Sequence, residues 1–439
     1  MPNAHVDMIA YLKEKFKHGT DFVIEELKDE SGTSFVVFYL ASLVDSTQIA
    51  IHLKRLRWDK PETYTSVEGK SNLSKEELVH EILGNRVVVV HAKGNMSLQM
   101  KTRNVSRSID SPQSESSIES SEDSFTESAI TNLGILRTHL QSSNLVLSTV
   151  ALGNIRKRYI SIGYMRDTDG ESLAQEVNAL LSSTDMDILS IHDLAKALGQ
   201  RRWGPFSMFT STQLPEQTAS FLMRGRIVLF LDQHPYALIT PPYIVDLFAA
   251  YYDRNIPGLL AVLNVALRLI GILVALIVPG LYVALVSINP ELLDINLALA
   301  VARSREGVPY PALIEMLLMS IIIDIMVAAS IRLPKSIGPT ITMVGGIILG
   351  QAAVQAKLVS NLLLIVLAAT IISNFNMIGI QNSLVIRLFK YLNVVLGAIL
   401  GLVGILTGLV FFIFYMARIT TFRRPYLRIP SESAGEDYE

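Results

Sequence analysis

Two patterns of apolar residues divide this chain of 439 residues near position 255. Upstream, short apolar runs alternate with charged and turn-forming stretches. Ser34 to Leu40 (SFVVFYL), Arg86 to His91 (RVVVVH), Tyr159 to Tyr164 and Arg226 to Leu231 (RIVLFL) read as strands, each short and rich in β-branched or aromatic residues. Leu73 to Ile82 reads as a helix, with Ser74 as N-cap, Glu77 three residues on and Gly84 closing it. Ser46 to Leu56, Ala129 to Leu140, Glu171 to Leu181 and Pro215 to Met223 read as further helices, with Asp167 to Asp169 a turn and Gly225 a stop. The order strand, acidic turn, helix, helix, glycine, apolar strand occurs twice. That predicts two small α/β subdomains of similar plan, 1–103 and 129–255, joined by a Ser/Glu-rich connector at 104–128.

Downstream the apolar runs lengthen. From Gly258 to Ala417 there are only eight Lys/Arg and five Asp/Glu. Leu269 to Ile288, Leu358 to Ile378 and Leu392 to Met416 are each 20 residues or longer, and about 20 apolar residues at about 1.5 Å each cross a bilayer core. Pro311 to Ile331 and Ile337 to Ala356 are further candidates. The expected architecture is an α/β cytoplasmic region followed by an α-helical polytopic membrane domain at 256–418 with about four to six membrane helices, then a cytoplasmic tail at 419–439. Ile256 to Arg268 is expected to lie as an amphipathic helix on the membrane surface. Pro279-Gly280 is expected to bend the first span, and Asn289 to Tyr310 is too polar to cross.

Composition narrows the chemistry. The absence of cysteine removes disulfides, thiol catalysis and Cys-ligated metals. The eight histidines lack metal spacing, no phosphate loop or dinucleotide fingerprint occurs, and no basic tract suggests nucleic acid. No enzyme constellation, metal site or cofactor is expected. Met1 to Phe22 is charged and lacks a signal-peptide core, which predicts a cytoplasmic N-terminal region. Arg332, Lys335, Arg387, Lys390 and the cluster Arg418, Arg423, Arg424, Arg428 all ask to be cytoplasmic. Five full spans conflict with that, so one segment must be re-entrant or Asn289 to Ala302 must dip in.

Several stretches together carry a resemblance. They are Asp123 to Ser128 (DSFTES), Trp203 to Phe206 (WGPF), Arg226 to Ile239 (RIVLFLDQHPYALI), Tyr282 to Leu285, Asn289 to Leu293 (NPELL), Ser304 to Pro311 (SREGVPYP), and Val344-Gly345-Gly346 running into Gly350 to Ala356 (GQAAVQA). This set resembles the A subunit of GerA-type spore germinant receptors. The resemblance implies a protein of the spore inner membrane with its N-terminal region facing the core. It further implies a homo-oligomer, pentameric in the family, that passes monovalent cations. A transporter-like B subunit and a lipoprotein C subunit are the implied partners. The chain departs from the family pattern at Ser320, Val327 and Ala328, where charges are common, and at Pro339 and Ile378. An accessory paralogue that amplifies ion release is the alternative within the family. A secondary transporter is a further alternative, although no inverted repeat is visible.

Candidate residues follow from helical spacing. Thr340, Val344, Ile347, Gln351 and Gln355 share one face of a helix, opposite Gly345, Gly346, Gly350, Ala352, Ala353 and Ala356. The small face suits close packing. The other suits either a pore wall with an aliphatic gate or polar bonding to adjacent helices. Asp324, deep in its span, and Glu315, expected near the interface, are intramembrane acids that could attract cations or pair with a neighbouring helix. Arg268 is expected to snorkel as an interfacial anchor. Gly397, Gly401, Gly404 and Gly408 are expected to form one packing face of a single helix.

Overall fold

The computed structural model describes residues 3–28, 34–44, 70–91, 94–99, 123–200, 204–248, 253, 255–330, 332–333 and 337–428. The expected helix from Ser46 to Leu56, the residue Trp203 and most of the connector lie outside these. The chain divides into two compact units. One is built from 1–204, 208–242 and 430–439, the other from 205–207 and 243–429.

The first unit holds two antiparallel sheets. After α1 (Asn3–Lys15), the strands β1 (Phe22–Lys28), β2 (Ser34–Leu40), β3 (Lys70–Ser71), β4 (Val87–His91) and β5 (Gly94–Leu98) pair in the order β1-β2-β4-β5-β3. After α3 (Ala129–His139), the strands β6 (Leu145–Leu152), β7 (Arg158–Met165), β8 (Thr210–Thr212), β9 (Ile227–Leu231) and β10 (Ala237–Thr240) pair in the order β6-β7-β9-β10-β8. The orders are the same, and each sheet has a helix between its third and fourth strands, α2 (Lys75–Leu83) and α6 (Pro215–Met223). The second sheet also carries α4 (Asp169–Ser182) and α5 (Ile191–Ala197) between β7 and β8. This is the two-subdomain plan that the sequence predicts. Both central strands, β4 and β9, are buried along their whole length, which is why they read as unbroken apolar runs.

Local signals explain the element ends. Ser74 and Glu77 make both bonds of the capping box, Glu77 N to Ser74 Oγ at 3.3 Å and Ser74 N to Glu77 Oε2 at 2.7 Å. Gly84 does not supply the left-handed turn expected of it, since its φ is −77°. Asn85, with φ +68°, turns the chain instead, while Gly225 takes φ +73° at the equivalent place in the second subdomain. The end of the Ser/Glu-rich connector is a cap for α3. Thr126 N donates to Asn132 Oδ1, Asn132 Nδ2 donates back to Thr126 O, and Phe125 packs edge-on against Phe230.

An ion pair pins the two subdomains together. Arg137 is buried on α3, and its Nε and Nη2 each donate to Asp21 at 3.0 Å, with Nη1 on Leu145 O at 2.9 Å. Both side chains are buried, and Ser42 Oγ completes the Asp21 carboxylate. Thr20 N adds a bond to Leu147 O at 2.8 Å.

The second unit is helical: α7 (Gly258–Ser287), α8 (Ile295–Ser304), α9 (Ala312–Ser330), α10 (Gly338–Gln355), α11 (Asn361–Phe375) and α12 (Ile380–Arg418). Among the described residues α7, α9 and α12 are long and apolar enough to cross a membrane. The protein is a multi-pass membrane protein. α7 is continuous through Arg268 and Pro279, so Ile256 to Arg268 is not a separate surface helix. α11 is 15 residues, shorter than its apolar run, because Ser373, Asn374 and Asn376 end it.

The largest departure from expectation is in α12. Gly401 has φ +64° and ψ −139°, and the chain reverses there. Phe389 and Phe412 meet at 4.8 Å between ring centres, whereas 23 residues of straight helix would hold them about 35 Å apart. Leu392 to Met416 is therefore not one span but two antiparallel arms, 380–400 and 402–418. An apolar run contains no signal for direction, and only the glycine marks the break.

Candidate functional site

α10 carries the glycine-backed stripe. Thr340, Val344, Ile347, Gln351 and Gln355 are all exposed on the isolated chain, Val344 at 46% and Ile347 at 56%. The small face packs where its lack of side chains allows. A methyl on Gly345 or Gly346 would touch Met326 of α9 at 3.5 and 3.4 Å, and one on Gly350 would touch Leu364 of α11 at 3.5 Å. Ala353 is buried, but Ala352 and Ala356 are exposed, so the packed face is narrower than helical spacing suggested. Between α9, α10 and α11 lies a cavity of about 900 Å³ lined by Met319, Met326, Met343, Leu367 and Phe375, with Ile347 and Gln351 also contributing to its wall.

Asp324 projects from α9 onto the first arm of α12. Tyr391 Oη donates to its Oδ2 at 2.5 Å, Lys390 Nζ lies 3.4 Å from the same oxygen, and Arg387 Nε lies 3.5 Å from Oδ1. Lys390 is 4% exposed, so its ammonium depends on this carboxylate for compensation. Sequence reasoning took Arg387 and Lys390 as cytoplasmic markers and missed them as partners. The signal was present, since 387, 390 and 391 fall three and four apart on one face of an apolar helix.

Glu315 is fully buried among the helices. Its Oε1 accepts from Ser360 N at 2.5 Å, where α11 begins, and Arg305 Nε lies 3.4 Å from Oε2. A carboxylate at a helix N-terminus is favourable, because free N–H groups and the macrodipole meet it there. Tyr282 Oη lies 3.0 Å from Ser360 Oγ, so Tyr282, Arg305, Glu315 and Ser360 knit α7, the segment after α8, α9 and α11 together.

The arrangement is that of a helical bundle whose charges are tied inward while one glycine-rich helix offers a mixed stripe outward. Comparison with known sequences decides the family. The sequence model described as the Bacillus/Clostridium GerA spore germination protein matches residues 10–437. The chain belongs to the GerA spore germination protein family. Similar curated relatives include Spore germination protein A1 of Bacillus subtilis (strain 168), 28% identical over 96% of this chain and 89% of that protein. Spore germination protein B1 of the same organism is 33% identical over 77% of this chain and 71% of its own length. Spore germination protein KA is 26% identical over 95% and 80%. Among solved structures, the N-terminal domain of the A subunit of the Bacillus megaterium spore germinant receptor GerK3 aligns over 53% of this chain and 92% of that domain, at 19% identity and a TM-score of 0.40.

In this GerA-family chain two expected roles change. Arg268 does not snorkel. It is 4% exposed and its guanidinium grips Asp253 through Nη1 at 2.5 Å and Nη2 at 3.0 Å, with Nη1 also on Phe248 O. Sequence gave no sign of this, because the acid lies 15 residues away across a bend. The four glycines of α12 do not share a face of one helix. Gly401 is the reversal, Gly404 and Gly408 in the second arm press on Leu396 and Asn393 in the first, and Gly397 faces Gly280 of α7. Asn289 of the NPELL stretch accepts from Leu402 N at 3.1 Å and so caps the second arm.

Proposed function

We propose that this chain is the membrane subunit of a nutrient germinant receptor and that copies of it surround a gated pathway for monovalent cations. The observation that carries the reading is the exposure of Thr340, Val344, Ile347, Gln351 and Gln355 on a helix whose opposite side packs at Gly345, Gly346, Gly350 and Ala353. A helix with an unsatisfied amide stripe inside a membrane needs polar company, and copies of itself around water supply it. Val344 and Ile347 would form an aliphatic constriction that closes by dewetting, and Thr340, Gln351 and Gln355 would line the wet part. The homo-oligomer is taken to be a pentamer. The chain would act with a transporter-like B subunit that holds the nutrient and a lipoprotein C subunit, in the spore inner membrane.

The reversal at Gly401 bears on orientation. If α7, α9, α10, α11 and the two arms of α12 each cross, six crossings return the cluster Arg418, Arg423, Arg424 and Arg428 to the side of the N-terminal region. Both then face the core, as the positive-inside rule asks.

Spores carrying Ile347→Ala or Val344→Ala are expected to release cations without nutrient, because a wider constriction stays wet. Unchanged release in both would remove α10 from the pathway. Co-purification without a transporter-like partner would favour the accessory-paralogue reading.

A further inference from the structure

The Asp232-Gln233-His234-Pro235 turn lies outside the helical unit and is built unusually. Gln233 takes a left-handed φ of +67° at the end of β9. Its Oε1 accepts from Arg156 Nη2 at 2.7 Å and from Arg158 Nη2 at 3.3 Å, so two guanidinium groups converge on one neutral oxygen. Arg158 is only 8% exposed. Its Nη1 donates to Leu189 O at 3.3 Å, and its Nε has no partner. Lys157 stands exposed between the two arginines. Among the described residues no carboxylate lies within 4 Å of either guanidinium. Asp187, in the adjoining loop, gives Oδ1 to the backbone amides of Ile155 and Arg156 at 3.1 and 3.3 Å.

A buried guanidinium is ordinarily matched by an acid, because unpaired buried charge is costly. Here the buried Arg158 and the exposed Arg156 share an amide that neutralises neither. Planar forks with spare donors suit a tetrahedral or planar oxyanion, which can accept from both at once. We infer that Arg156, Lys157, Arg158 and Gln233 form a site for a small soluble oxyanion, a phosphate or a phosphate monoester. Enclosure of Arg158 beside the turn of the β6–β7 hairpin favours an ion of that size over an acidic protein surface. None of these residues lies in the helical unit, so the inference stands apart from the channel reading.

The test uses the full chain in phosphatidylcholine nanodiscs, titrated with inorganic phosphate and followed by calorimetry and thermal unfolding. Saturable binding with a rise in Tm is expected, weakened at least about tenfold in Arg156→Gln and unchanged in the distant Lys17→Gln. Gln233→Glu supplies the missing carboxylate, so it should raise Tm without phosphate and abolish the phosphate response. Binding that never saturates, that falls equally in Lys17→Gln, or that survives Gln233→Glu would overturn the site. A response confined to nanodiscs containing phosphatidylglycerol, with none to free phosphate, would overturn the soluble anion in favour of a lipid head group.

Discussion

A carboxylate in an apolar helix must be compensated nearby, and around Asp324 the compensation comes from Lys390, Arg387 and Tyr391 together. Lys390 is the more enclosed partner, so removing the acid strands a buried ammonium. Asp324→Asn is expected to destabilise the folded chain by about 3–5 kcal/mol, and the double change with Lys390→Met to recover most of that. Thermal unfolding of the detergent-solubilised protein checks both. The same logic applies to Asp21 and Arg137 in the first unit, where the pair joins two sheets. A milder electrostatic term sits at Glu77, whose carboxyl is held below its ordinary value of 4.5 by hydrogen bonds from the Ser74 backbone and hydroxyl. A depressed folded pKa contributes stability above the unfolded pKa and loses it as pH falls through the folded one. The stability difference between the native chain and Glu77→Gln should therefore be constant near neutrality and shrink below about pH 4.5. A difference that persists at pH 2 would contradict it.

Among the elements, α12 makes the sharpest commitment. The absence of cysteine allows an unambiguous test. In a Phe389→Cys/Phe412→Cys variant the two thiols should cross-link within one chain under mild oxidation, since the rings they replace are 4.8 Å apart. A straight helix would leave them about 35 Å apart and unlinked. Gly401 tolerates no other residue readily. Its φ is left-handed, and a methyl there would collide with Asn289 Oδ1, so Gly401→Ala is expected to cost upwards of about 1–3 kcal/mol and to lower the cross-linking yield. Gly258→Ala, with open space around it at the first residue of α7, should leave yield and melting unchanged.

On the scale of the whole molecule, the isolated chain leaves α10 largely uncovered, and a membrane protein that gathers copies would cover it. If the stripe surrounds a common axis, Gln351→Cys in otherwise cysteine-free chains should give cross-linked dimers between copies in native membranes. Ile314→Cys, exposed on α9, would report generic collision and should give far fewer. Equal yields at both positions would mean that α10 has no privileged contact.

Much of this protein was legible in one dimension. Short apolar runs such as SFVVFYL, the Ser74–Glu77 box and the long charge-free stretches follow from local geometry and solvent preference, so sequence by itself determined two similar strand-and-helix subdomains and a helical membrane unit. The glycine face of α10 was readable too, because side chains three and four apart share a side. What tertiary structure alone decided was direction and partnership. An apolar run is equally apolar whether the chain continues or doubles back at Gly401. A charge such as Arg268, Lys390 or Glu315 carries no mark of the group that will neutralise it. Those choices depend on contacts between residues distant in sequence, where packing and desolvation set the outcome and local propensity has no say.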